Sequence, residues 1–115
     1  MTILTQGKRT AEFLLSEANG QRSREEVLLA ITAAALPPGQ LLGVVTATGE
    51  CAPYAPGASD GTETAVAVLY AAAPVSAATQ RATVIARDAE VIGSQLTGLD
   101  AAARDDLLAK GIVVR

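Results

Sequence analysis

The sequence contains no histidine and no tryptophan, a single cysteine, and only three aromatic residues, Phe13, Tyr54 and Tyr70. Each shortage removes something. Without histidine the chain lacks the usual general base near neutral pH and the commonest transition-metal ligand. A Ser-His-Asp or Cys-His arrangement is ruled out in one chain and in any assembly of identical copies. One cysteine, Cys51, allows no intrachain disulfide framework and cannot hold zinc alone. It reads as a small buried or half-buried side chain. No run approaches the roughly 18 apolar residues of a membrane-spanning helix. The start, "MTILTQGKRTAEF", has no continuous apolar stretch of the signal-peptide kind, so a cytoplasmic origin is the expectation. Nine basic residues against twelve acidic ones give a net charge of -3. With no basic patch interleaved with aromatics, nucleic-acid binding is not expected, because that affinity rests on phosphate neutralisation.

What is present is small and apolar. Half of the 115 residues are hydrophobic, mostly alanine and valine. That length suits one domain. A core of small side chains buries little area per residue, so assembly into an oligomer would add stability.

Residues 1–24 stand apart. They carry four of the nine basic residues. Their apolar groups form two small clusters, Ile3 with Leu4 and Phe13 with Leu14 and Leu15. Asn19-Gly20 marks a turn. The segment reads as an N-terminal arm, flexible on its own, ahead of a single β-rich domain over 25–115. The other reading is an ordinary first strand around 12–16 that joins the domain's sheet.

The rest reads as mainly β, made of short strands and turns, with one short helix near the C-terminus. Strands are expected over 27–32, 41–48, 64–71 and 81–91. Pro37-Pro38-Gly39 turns the chain between the first two. Pro53 and Pro56 suggest an edge. Residues 64–71 alternate incompletely, as suits a strand buried on both faces. Over 81–91, Asp88 would share a face with Val84 and Ala86. In "LDAAARDDLLAKG", Asp100 is an N-cap candidate and Gly111 a C′ candidate. Ala103, Leu107 and Leu108 are candidates for the packed face. "GIVVR" ends the chain as a strand.

The stretch "APYAPGASDGTETAVAVLY" contains Ser59, Asp60 and Glu63, the best-placed polar groups for chemistry. "SDGTE" lacks the spacing of a calcium loop, and there is no phosphate-binding glycine motif. Asp105 and Asp106 point apart on a helix. Asp88 and Glu90 beside Arg87 suit a salt bridge at a surface or between subunits. No catalytic, cofactor or metal constellation emerges, and the loop reads as structural.

The series "RSREEVLLA", "LPPGQLLGVVT", "APYAPGASDGTETAVAVLY", "TVIARDAEVIGSQL" and "LAKGIVVR" resembles the lambda-type head decoration proteins of bacteriophages, over roughly residues 12–115. The resemblance implies a β-clip-like domain that forms homotrimers at threefold and quasi-threefold positions outside the expanded head. It implies binding to the major capsid protein and bracing of the shell against packaged DNA. The arm, with Ile3, Leu4, Phe13, Leu14 and Leu15, would become ordered against the capsid. Tyr54, Arg87, Asp88 and Glu90 are candidates for subunit contacts. The competing class is a small trimeric β-clip enzyme or ligand-binding module, in which Asp60 and Glu63 could hold a metal.

Overall fold

Two adjacent leucines, Leu41 and Leu42, are both fully buried, and they belong to different cores. This division organises the molecule. The computed structural model describes residues 10–18 and 22–115. Its strands are β1 Leu14–Glu17, β2 Arg24–Leu29, β3 Leu41–Val44, β4 Cys51–Pro53, β5 Ala67–Leu69, β6 Gln80–Ile85, β7 Ala89–Val91 and β8 Ile112–Val114. One helix, α1 Ala101–Ala109, precedes β8, and a 3-10 turn covers Gly93–Gln95. The protein is mainly β with one short C-terminal helix, as the sequence leads one to expect.

Strands β2, β4, β3, β5 and β6 close into a barrel. Successive side chains of a strand point to opposite faces. Leu42 on β3, Ala67 and Leu69 on β5 and Val84 on β6 therefore meet Leu29 and Cys51 in one cluster. That cluster draws on all five strands and fills the barrel. Their neighbours Leu41, Val68 and Ile85 point the other way and build a second cluster with Phe13, Val91, Leu107 and Ile112. The apolar 67–69 segment is buried on both faces, as its incomplete alternation indicates. Cys51 is free and buried, and burial raises its thiol pKa.

The second layer is a three-stranded sheet in the order β1-β7-β8. β7 and β8 are parallel, with Ala89 opposite Ile112. Parallel neighbours need a crossover, and the 3-10 turn and α1 supply it. Local chemistry sets the helix ends. The Asp100 side chain accepts from the Ala103 amide at 2.7 Å, and Gly111 takes a φ of +78° just past the last turn. Ala103 and Leu107 face the core, whereas Leu108, one position on, is exposed.

Three expectations change. The 81–91 segment is two strands rather than one. Asp88 lies between them with a φ of +49°, so it does not share a strand face with Val84 and Ala86. The strand begun at Leu41 stops at Val44, followed by turn residues 46–48. Finally, β4 is not an edge. It lies between β2 and β3 in the barrel, but β2 reaches it only through the Leu29–Cys51 pair, while Pro53 faces Leu42 of β3. The proline sits where the β2–β4 seam has already ended.

Gly61 marks a close approach of two chain segments. Its φ is +110°, and a Cβ there would lie 2.2 Å from the Val44 carbonyl oxygen and 2.4 Å from Thr46 Oγ1. Gly49 also has a positive φ, +75°, but a Cβ there meets nothing. Gly61→Ala should cost about 3 kcal/mol or more, from backbone strain plus overlap with backbone atoms, and Gly49→Ala about 1 kcal/mol. Urea unfolding of both variants measures the difference. Equal losses would mean that the loop moves to make room.

Candidate functional site

The candidate residues fall in three places. Ile3 and Leu4 lie outside the described residues. Phe13 is 1% exposed in the second core. Leu14 packs against that core from β1, and Leu15 points outward, 53% exposed. The segment from residue 10 to 18 thus lies on the domain, in line with the reading of a first strand near 12–16. The Phe13 carbonyl accepts from the Ile92 amide at 2.7 Å, and the Ala11 amide donates to Tyr70 at 2.8 Å. β1 pairs with β7 with an irregularity between Leu14 and Ser16. Among the described residues β1 has no strand on its other side and lies at the edge of the sheet.

Side chains fasten the end of β1. Ser23, fully buried, accepts from the Ala18 amide at 2.9 Å and donates to the Asp88 carbonyl at 2.8 Å. One hydroxyl therefore joins the end of β1, the start of β2 and the β6–β7 bend. Beside it Arg24 makes two bonds to the Glu17 carboxylate, one at 3.1 Å from Nε, with its guanidinium 4.5 Å from the centre of the Tyr70 ring. The Glu17 bond raises the Arg24 pKa, with burial acting in the opposite direction. The sequence offers one signal for this clamp: Glu17 and Arg24 stand on either side of the Asn19-Gly20 dipeptide. Nothing local marks Ser23, whose acceptor is 65 positions away.

The remaining candidates do not form one site. Tyr54 is 7% exposed, inside the second core. Its hydroxyl donates to the Asp100 carboxylate at 3.0 Å, and burial, then this bond, raises its pKa. Asp106 accepts from the Ala65 amide at 3.1 Å. Two carboxylates on or beside α1 thereby tie the helix to the loop between β4 and β5. Arg87, Asp88 and Glu90 each join a different partner: Arg87 meets Glu25 at 2.9 Å, Asp88 meets Arg22 at 3.8 Å, and Glu90 meets Arg115 at 3.0 Å. These pairs are largely exposed, and exposed ion pairs add little to stability.

The "SDGTE" loop uses its carboxylates internally. Asp60 accepts from the Thr62 amide at 3.0 Å and from its hydroxyl at 2.6 Å, and these bonds lower its pKa. Glu63 accepts from the Gly61 amide at 2.8 Å. Among the described residues no three histidine, cysteine or acidic side chains converge as metal ligands. The same loop delivers Tyr54 and Ala65 to α1.

A family model for the bacteriophage lambda head decoration protein D matches residues 3–112. The chain belongs to that head decoration family. The match covers nearly the whole chain and extends the resemblance read from residues 12–115 towards the N-terminus. No curated protein sequence matches it. Head decoration proteins are viral structural proteins of the phage capsid, which places this chain in the virion. Among the described residues no helix is long and apolar enough to cross a membrane.

Ser23→Ala should cost about 1–3 kcal/mol by leaving the Ala18 amide and Asp88 carbonyl short of a partner. Hydrogen exchange should quicken first in β1, and unchanged β1 exchange would remove Ser23 from this role. The Glu90 pKa is lowered, chiefly by its bond to Arg115. Its contribution is therefore present above the ordinary glutamate value of 4.5 and is lost as pH falls through the lower folded value. The stability gap between wild type and Glu90→Gln should close over that acid range. A gap that widens on acidification would reverse the assignment.

Proposed function

We propose that this protein binds as a homotrimer at threefold and quasi-threefold positions on the outside of the expanded phage head, and stabilises the shell against the pressure of packaged DNA. The observation that carries this reading is the family match across residues 3–112. The mechanism is mechanical rather than catalytic. A trimer that contacts several capsid subunits makes the lifting of one subunit break several contacts together, so each contact can be weak. Stabilisation of the expanded shell requires that it bind more tightly than the precursor shell.

The partner is the major capsid protein, and no membrane, nucleic acid or cofactor enters the mechanism. Ile3, Leu4, Leu14 and Leu15 are the proposed contact residues. The free edge of β1 supports this part of the reading. An edge strand offers unpaired backbone groups to a partner's extended segment, and the exposed Leu15 adds an apolar contact. Phe13 serves as the anchor that holds β1 to its own domain. Tyr54 acts from inside the subunit, by holding α1, and Arg87, Asp88 and Glu90 remain proposed subunit contacts through their exposed ion pairs.

Co-sedimentation with expanded, undecorated heads of the parent phage tests the reading. Saturable binding near one copy per capsid subunit is expected, and no binding to well-formed heads would overturn it. A truncation series locates the contact. Removal of residues 1–9 should leave the domain folded and weaken capsid binding. Removal of residues 1–22 also deletes Phe13 and β1, and should cost a further ~3–5 kcal/mol of stability. Full capsid affinity after removal of residues 1–9 would exclude Ile3 and Leu4 from the contact.

A further inference from the structure

The filling of the barrel runs out at one mouth. Leu29, Leu42 and Leu69 are the large buried side chains of its interior. Where β2 begins and β6 ends, the inward-facing residues are smaller, and a cavity of about 350 Å³ opens to solvent between them. Every strand of the barrel contributes to it: Val27 from β2, Val44 from β3, Cys51 from β4, Ala67 from β5 and Val84 from β6. Cys51, Ala67 and Val84 are buried and make the floor, while Val27 and Val44 are half-buried and make the walls. The cavity therefore belongs to the barrel and not to a crevice between surface loops. Its volume lies at the small end of the range of small-molecule sites, and barrel mouths are among the places where such sites occur.

Charge is confined to the rim, where Glu25, Arg87 and Lys110 border the opening. Glu25 and Arg87 pair at 2.9 Å. Lys110, at the C-terminal end of α1, is exposed and has no ion-pair partner among the described residues. Two cations thus face one carboxylate, and the rim carries an excess of positive charge on a chain that is acidic as a whole. Below the rim the one polar side chain is the Cys51 thiol. It is a weak hydrogen-bonding group, and burial raises its pKa, so it stays neutral.

We infer that this mouth of the barrel binds a small amphipathic anion, a single short alkyl chain ending in a carboxylate. The interior selects the tail and the rim selects the sign of the head. A sugar or a nucleotide would leave hydroxyls and amides unpaired against valine and alanine, at a cost that a hydrocarbon tail does not carry. The closed barrel offers no free strand edge at this point by which a peptide backbone could be held. A chain end seated among Val27, Val44 and Val84 removes apolar surface from water, and its carboxylate remains at the opening beside Lys110 and Arg87. A ligand held only by the closed barrel stabilises the folded state by mass action. The site lies apart from the β1 edge and is independent of the capsid reading.

Titration of the full-length protein with sodium octanoate, followed by backbone amide chemical shifts, tests the inference. Saturable shifts at Val27, Val44 and Lys110 are expected, with a dissociation constant of about 1 mM or lower. Octanol and octylammonium carry the same chain with a neutral or a positive head. Octanol should bind about two- to fivefold more weakly than octanoate, and octylammonium more weakly still, because an exposed charge pair contributes modestly. Lys110→Gln, at an exposed position, should bring octanoate to the affinity of octanol. Ala86→Phe fills the opening from a half-buried position on its wall and should lower the affinity about tenfold or more. Circular dichroism checks that this variant is folded, and the ligand series and Lys110→Gln decide the matter without it. Four results would each overturn the inference. They are no saturation up to about 10 mM octanoate, equal affinity for the three head groups, full octanoate affinity in Lys110→Gln or in folded Ala86→Phe, and saturable shifts centred elsewhere, as around the exposed Ile31 and Val75.

Discussion

Neighbouring side chains on β3, β5 and β6 point in opposite directions, and in both directions they are buried. The pairs Leu41 and Leu42, Val68 and Leu69, and Val84 and Ile85 each divide between the barrel interior and the layer of α1 and the three-stranded sheet. The rest of the structure depends on these strands. A chain with three aromatic residues cannot fill a large core with bulky groups. It instead shares one set of strands between two small cores, so that nearly every residue of β3 and β5 is buried.

This arrangement limits where function can sit. The strands shared by the cores carry no chemistry, and the carboxylates nearest to them have structural work. Asp100 caps α1 and holds Tyr54, and Asp106 holds the loop at Ala65. Asp60 and Glu63 close their own turn. Among the described residues, what remains exposed is the periphery, including the outer face of β1 at Leu15. A structural protein of the phage capsid works through such surfaces rather than through an internal site.

Much of the architecture was legible locally. Asp100 and Gly111 bracket α1 because capping depends on residues within one turn. Cys51 was readable as a small buried or half-buried side chain because a lone cysteine has no partner for a disulfide or a zinc site. The candidate site was less legible. Phe13 reads from the sequence as part of an arm's apolar cluster because that cluster is short and stands among polar residues. Its burial depends on Val91, Leu107 and Ile112, far along the chain. Tyr54 likewise disappears into the core through contact with Asp100, 46 positions away.

The sequence by itself determined the class of the fold, the ends of its helix, the absence of histidine chemistry and membership of the head decoration family. These follow from composition, short-range hydrogen bonding and the order of motifs. The tertiary structure alone decided which neighbour of each apolar pair enters the barrel, and that 81–91 bends at Asp88. It also decided that β1 ends as a clamped edge strand. Sheet pairing and closure join residues distant in sequence, and a one-residue change of register exchanges the two faces of a strand. When both faces are apolar, local pattern carries no preference between them, and only the closed barrel supplies one.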